Sequence, residues 1–215
     1  MLGCGATLAQ LADDGTETHV LVLARGVSTD ARNGVAEAES RTRAESLHAA
    51  ARVLGATAWH HDLPDQRFDS LDQLDVVKIV ESRKRAIQPD LVFTHHPGDL
   101  NTDHQITTNA VLAAFRPQPG EKAVTILGFE TVSSTEWNVP SNGTVFAPNW
   151  YEDATLGLDR KLEAMGHYAD ELRDWPHPRS LEGIATQARR HGMNVGLQAA
   201  EAFMLLRHIH KQGAV

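Results

Sequence analysis

Short apolar runs alternate with amphipathic stretches along this chain, and that alternation restricts the fold more than any other feature. Val20-Leu21-Val22-Leu23-Ala24 is an unbroken apolar run, the pattern of a parallel strand buried on both faces. Leu91-Val92-Phe93 is a second such run, Ala123 to Glu130 reads as a further strand, and Ala56 to Trp59 as a short one. Helix signals lie between them. The chain opens inside one, with Leu8 and Leu11 on a common face and Gly15 as its stop. Residues 26–40 read as a loop, and 41–54 as a helix with Leu47, Ala51 and Leu54 on one face and Gly55 behind it. Ser70-Leu71-Asp72-Gln73 matches a capping box that opens a helix running to about Ile87, where Pro89 ends it. A further helix starts near Asn101 and ends before Pro117, and after Trp150 the pattern predicts helices at about 155–172, 181–190 and 197–209. Strands alternating with helices predict an α/β fold with a mostly parallel sheet. Right-handed crossovers follow, and ligands are expected at the carboxyl ends of the strands.

Composition narrows the function classes. The 215 residues suit one domain spanning 1–215. A net charge of -8 argues against general affinity for nucleic acid or an anionic membrane. Arg83-Lys84-Arg85, the one basic cluster, reads as the solvated face of its helix. Cys4 is the only cysteine, so no internal disulfide forms, and a cytoplasmic location is the default. No apolar run approaches ~20 residues, so no membrane span is expected, and the N-terminus lacks the pattern of a signal peptide. The 12 histidines are the unusual count; they point to metal or acid/base chemistry where some of them converge.

The densest polar cluster runs from Thr94 through His95, His96, Pro97, Gly98, Asp99, Leu100, Asn101, Thr102 and Asp103 to His104. It begins where the strand at 91–93 ends, the place an open α/β sheet puts its site. Imidazole and carboxylate are the usual ligands of catalytic zinc, and Pro97-Gly98 makes a turn that can aim both sides of the loop inward. A plainer reading stands beside this one: Asn101 caps a helix, Asp103 favours its positive end, and His95 and His96 are ordinary loop residues.

Other candidates read more plainly still. Gly3-Cys4-Gly5 resembles a phosphate loop only superficially, since no strand precedes it and the third glycine of a dinucleotide fingerprint is absent; close backbone packing at a helix start is the better reading. Cys4 as a nucleophile has no base partner that the sequence can name. Arg43 sits at the start of a helix, where a cation is mildly unfavourable, so it is either solvated surface or a contact for an external polar partner. Trp150-Tyr151 reads as a packing pair, and Asp62-Leu63-Pro64-Asp65 as a turn or the lining of a cleft.

Several of these stretches point the same way. Leu2-Gly3-Cys4-Gly5-Ala6-Thr7-Leu8-Ala9 resembles the glycine-rich helix start that follows the His-Pro-Asp-Asp-Glu signature of PIG-L/LmbE proteins. Arg43-Ala44-Glu45, followed by Ala51-Arg52-Val53-Leu54-Gly55, is similar to that family's second conserved helix, and Pro89 through Asp99 to Asp103-His104 resembles its late metal motif. Glu130 to Trp137, with Ser133-Ser134-Thr135, is similar to a further family segment, and Ala200-Glu201-Ala202-Phe203 to its C-terminal helix.

The resemblance implies a Rossmann-like, LmbE-like α/β fold and one zinc held by two His and one Asp. It also implies hydrolysis of an acetamide on a small N-acetylated substrate, usually an amino-sugar conjugate. Within it, His104 is the late metal ligand, Arg43 and Asp99 are substrate-binding residues, and Asp103 orients the ligand beside it. Some family members carry a histidine where Asn101 stands here, so Asn101 or His96 would assist the oxyanion. The His-Pro-Asp-Asp-Glu segment and the first central strand are expected immediately before Met1, so the metal site is expected to be incomplete in this chain, as after N-terminal truncation. Self-association is a further expectation of the resemblance. Two rival readings are a non-catalytic remnant that binds a sugar or a protein partner, and a nucleotide-binding Rossmann protein.

Overall fold

The computed structural model describes residues 1–26, 35–139 and 145–210. In chain order the elements are α1 (Gly5–Asp13), β1 (His19–Ala24), α2 (Val35–Val53), β2 (Thr57–Leu63), α3 (Gln73–Ile87), β3 (Leu91–His95), α4 (Thr102–Ala114), β4 (Thr125–Phe129), β5 (Trp150–Asp153), α5 (Leu158–Gly166), α6 (Leu181–Val195) and β6 (Ala200–Arg207). The expected α/β architecture is present: β1 pairs with β2 in parallel, β3 with β4 in parallel, and β4 with β6 antiparallel. Strand order in the larger sheet is β3-β4-β6-β5. The chain divides into two compact units, Met1–Gln66 with Tyr151–Glu201, and Arg67–Trp150 with Ala202–Val215.

In the first unit, β1 and β2 run in register from His19 opposite Thr57 to Val22 opposite His60, then shift so that Ala24 meets Leu63. Small residues let the helices approach closely. Ala9, Ala50, Leu54 and Ala164 form one buried cluster, and Ala6, Ala154, Leu158, Ala188 and Ala199 another. A Cβ at Gly157 would stand 2.4 Å from the carbonyl oxygen of Ala6, and one at Gly5 would stand 3.2 Å from Lys161 Cγ. Close packing at the start of α1 thus accounts for Gly5. The first turn of α1 is capped from a distance: Ala6 N–H donates to Glu201 Oε1 (3.1 Å), and Thr7 N–H and Oγ1 donate to Oε2 (2.7 and 2.6 Å). Lys161 Nζ completes the pair at 2.6 Å from Oε1. These α1 amides, which a phosphate loop would offer to a ligand, are spent on the protein's own carboxylate.

In the second unit, β3 and β4 are aligned from Leu91 opposite Thr125 to His95 opposite Phe129. Ile126, Leu127 and Phe203 are fully buried, and the Phe93 and Phe203 rings meet at 4.9 Å between centroids. Helices α3 and α4 contribute Val76, Val80, Ala110, Val111 and Ala114 to the core. Helix α3 ends at Gln88, in left-handed conformation (φ 53), directly before Pro89.

Three expectations need correction. The segment expected as a helix at 197–209 is β6, a strand; Ala200 to Phe203 are all buried, and a stretch buried on both faces carries no period to distinguish it from a helix. Helix α2 starts at Val35 rather than at 41, because Ala36-Glu37-Ala38-Glu39 are strong helix formers that lack an apolar stripe; the rest of the expected 26–40 loop, beyond Gly26, lies outside the described residues. The capping box is displaced. Ser70 Oγ donates to Arg67 O (2.7 Å) within a separate short turn, Phe68–Ser70, and α3 starts after Asp72. Buried Phe68 holds that turn in place, with its amide donating to Asp103 Oδ1 at 2.9 Å.

Candidate active site

Strand β3 ends at His95, and the chain then turns inward. His96 N–H donates to Phe129 O (2.8 Å), Asp99 N–H to His96 O (3.1 Å), and Asn101 opens α4. Asp99 is the hub. Its side chain is 0% exposed, and Oδ1 accepts from Asn101 N–H (2.9 Å), His104 Nδ1 (3.0 Å) and Ser134 Oγ. Oδ2 accepts from Thr135 Oγ1 at 2.5 Å. Burial alone raises a carboxyl, but the bonds from His104, Ser134 and Thr135 outweigh it and hold Asp99 well below the usual carboxylate range.

An ionised carboxylate only accepts, so His104 Nδ1 is the donor, an arrangement that in a neutral imidazole puts the lone pair on Nε2. A carboxylate on the far nitrogen is the usual support of a metal-binding or proton-transferring imidazole. The His104 side chain is 18% exposed, so solvent reaches the ring. His95 stacks on it at 3.8 Å between centroids and 6° between planes. Burial, and then the neighbouring His104, hold the His95 imidazole well below its ordinary range, in the neutral form. His95 Nδ1 lies 3.3 Å from Thr131 Oγ1, and its carbonyl accepts from Thr108 Oγ1 at 2.8 Å.

The other expected site residues fall differently. Asn101 Oδ1 accepts from Asp103 N–H (2.9 Å), so it does cap α4. Asp103 was expected to orient His104; it instead accepts from Phe68 N–H, and Asp99 holds the ring. Asp99 was expected at the substrate; its carboxylate is turned inward and saturated by protein donors. His96 is 1% exposed and meets the Phe146 ring edge-on at 5.4 Å, a packed position rather than one open to a substrate carbonyl. Arg43, in the first unit, pairs with Glu171 at 2.7 Å, and Glu171 also takes Arg179 at 2.6 Å. Sequence reasoning did not single out Ser134 or Thr135 as site residues, although the polar run Ser133-Ser134-Thr135 was the available signal, and it left His95 open between a member of the site cluster and an ordinary loop residue.

Among the described residues, no group of three His, Cys, Asp or Glu side chains forms a metal-holding cluster. His104 suits a metal as a single donor through Nε2; a complete three-donor set does not follow from the side chains described here.

The family model for PIG-L, GlcNAc-PI de-N-acetylase, matches residues 1–115. The chain is 31% identical over 157 residues to a protein of Escherichia coli K12 named uncharacterized deacetylase YaiS, which covers 70% of this chain and 74% of that protein. Among solved structures, N,N'-diacetylchitobiose deacetylase from Pyrococcus horikoshii matches with a TM-score of 0.76 at 20% identity, covering 95% of this chain and 78% of that one. GalB, a 4-carboxy-2-hydroxymuconate hydratase from Pseudomonas putida, matches with a TM-score of 0.74 at 20% identity, covering 100% and 94%. Two different named activities on one architecture mean that structural likeness establishes the fold alone.

Proposed function

From its place in the PIG-L, GlcNAc-PI de-N-acetylase family, to which the chain belongs, we propose that it hydrolyses the amide of an N-acetylated, amino-sugar-type small molecule. One observation carries this reading: past the carboxyl end of β3, a buried carboxylate fixes a solvent-reachable imidazole with its Nε2 free of that contact. Amide hydrolysis needs a water brought to the carbonyl, a place for its proton and donors for the oxyanion. His104 Nε2 offers a lone pair where such a water or its metal would sit. Asn101 Nδ2 offers an oxyanion donor, since only its Oδ1 is used in capping α4.

Zinc is the ion the family resemblance implies. His104 would supply one of its donors, and a bound zinc lowers the pKa of its water to about 7. Arg43 remains a proposed substrate contact on family resemblance alone; in the structure it is paired with Glu171. Self-association stands as a further proposal. No described helix is long and apolar enough to cross a membrane.

The lack of a three-donor cluster among the described residues favours a second reading, a chain that binds an N-acetylated sugar without cleaving it. Acetate release from N-acetylglucosamine conjugates, measured beside equilibrium binding of the same compounds, separates the two. The deacetylase reading expects turnover that His104→Ala lowers by about 10²-fold or more in kcat/KM. Turnover unchanged in His104→Ala overturns the role of His104, and saturable binding without acetate release favours the second reading.

A further inference from the structure

The segment after β4 holds the Asp99–His104 pair in a way that buried-group satisfaction alone does not require. Thr135 Oγ1 accepts from Thr131 N–H at 2.8 Å and lies 2.5 Å from Asp99 Oδ2. A hydroxyl has one proton, so that proton is committed to Asp99. Ser134 Oγ reaches the other oxygen, Oδ1, the one that also holds His104. The turn presenting both hydroxyls is held against its own preference. Ser133 sits at φ 61, a left-handed conformation that a non-glycine residue adopts only at a cost. Glu136 folds back to retain it, accepting from Ser133 N–H (2.5 Å) and Ser134 N–H (3.3 Å). The same segment is tied to the β3 loop twice more, through Asn138 Nδ2 to Gly98 O (2.8 Å) and Thr131 Oγ1 to His95 Nδ1 (3.3 Å), and His95 is the ring stacked on His104.

We propose that Ser134 and Thr135 are positioning residues for the reaction: their hydroxyls clamp both oxygens of Asp99, so that Asp99 holds His104 in the Nδ1–H tautomer with the lone pair on Nε2. Glu136 shapes the turn that aims them. The proposal rests on the amide hydrolysis argued above, but its structural core, the tautomer of His104, can be measured without turnover.

The test uses Thr135→Val, Ser134→Ala and the conservative Thr135→Ser in the full chain. The readouts are the side-chain 15N shifts of His104, identified by their loss in His104→Ala, together with kcat and KM. Thr135→Val is expected to turn a single Nδ1–H tautomer into a mixture and to lower kcat by about 10- to 100-fold with KM within about twofold; Thr135→Ser restores both. If Thr135→Val does not fold, Ser134→Ala removes the other hydroxyl and carries the same expectation. A single, unchanged Nδ1–H tautomer in folded variants overturns the proposal, as does a kcat loss that Thr135→Ser fails to restore. If wild type shows no hydrolysis, the functional reading fails while the tautomer measurement still decides the clamp.

Discussion

Removing the Glu201 carboxylate would test how the first unit is held together. Glu201 and Lys161 are 2% and 4% exposed, and the carboxylate also accepts the Ala6 and Thr7 amides at the positive end of α1. In Glu201→Ala the Lys161 ammonium stays buried without its partner, and breaking a buried pair from one side costs about 3–5 kcal/mol. The abandoned amides add to this, each buried donor without an acceptor being worth about 1–3 kcal/mol, though not additively. A net loss of about 4 kcal/mol is therefore expected.

Cys4 provides the assay. It is the chain's only cysteine, it immediately precedes α1, and it is 7% exposed. Burial pushes its thiol up to about 11, so the native thiolate is scarce as well as shielded. Labelling by a disulfide reagent near pH 8 then reports opening of this region. At 1.4 kcal/mol per tenfold, a loss of about 4 kcal/mol accelerates labelling by about 10³-fold where opening and closing are fast. The double variant Glu201→Met with Lys161→Met leaves no buried charge, so it is expected to label more slowly than Glu201→Ala. Labelling of Glu201→Ala within about fivefold of wild type would refute the reasoning, as would a double variant as labile as the sum of its parts.

Two further outcomes follow from single residues. Asn101→Ala removes the side-chain cap of α4 and is expected to cost about 0.5–2 kcal/mol in urea unfolding, with Asn101→Asp costing less because its side chain still accepts. Burial pushes the Tyr168 phenol up to about 12, above an unfolded value near ~10. The folded chain therefore binds more protons between those values, and stability is lost as pH rises from about 10 toward about 12, by about 1–3 kcal/mol; alkaline unfolding curves of Tyr168→Phe should lack that component.

Much of the fold was legible because period and composition agreed. Val20 to Ala24 and Leu91 to Phe93 are strands, and Asn101 marks the start of α4. The failures have a common physical source in long-range context. Ala200 to Arg207 is rich in helix formers, yet pairing with β4, with Phe203 opposite Phe129, makes it a strand. The Ser70 capping box was overridden by buried Phe68 and its bond to Asp103, a partner 35 positions away. In the site, the 94–104 cluster and its lead residue His104 were visible as a dense polar loop. The carboxylate that holds the ring was not, because Asp103 is adjacent to His104 in sequence while Asp99 stands five positions away, and only the fold turns the more distant one onto the ring. Ser134 and Thr135 reach Asp99 across 35 and 36 positions, a separation no local pattern encodes.

The architecture is shared by proteins named for deacetylation and for hydration, so the function of this chain must be argued from side chains. A buried carboxylate is a poor device for stability: desolvation opposes it, and apolar residues of similar shape often serve as well or better. Asp99 is nevertheless kept ionised by three side-chain donors, and one of these donors is an imidazole that stays partly exposed to solvent. Had the network only to fill space, the cheapest arrangement would bury His104 with it or replace both. What the fold obtains from Asp99, Ser134 and Thr135 is an imidazole fixed in one tautomer past the carboxyl end of β3. That is the requirement of a group that must present a lone pair to a metal, a water or a proton.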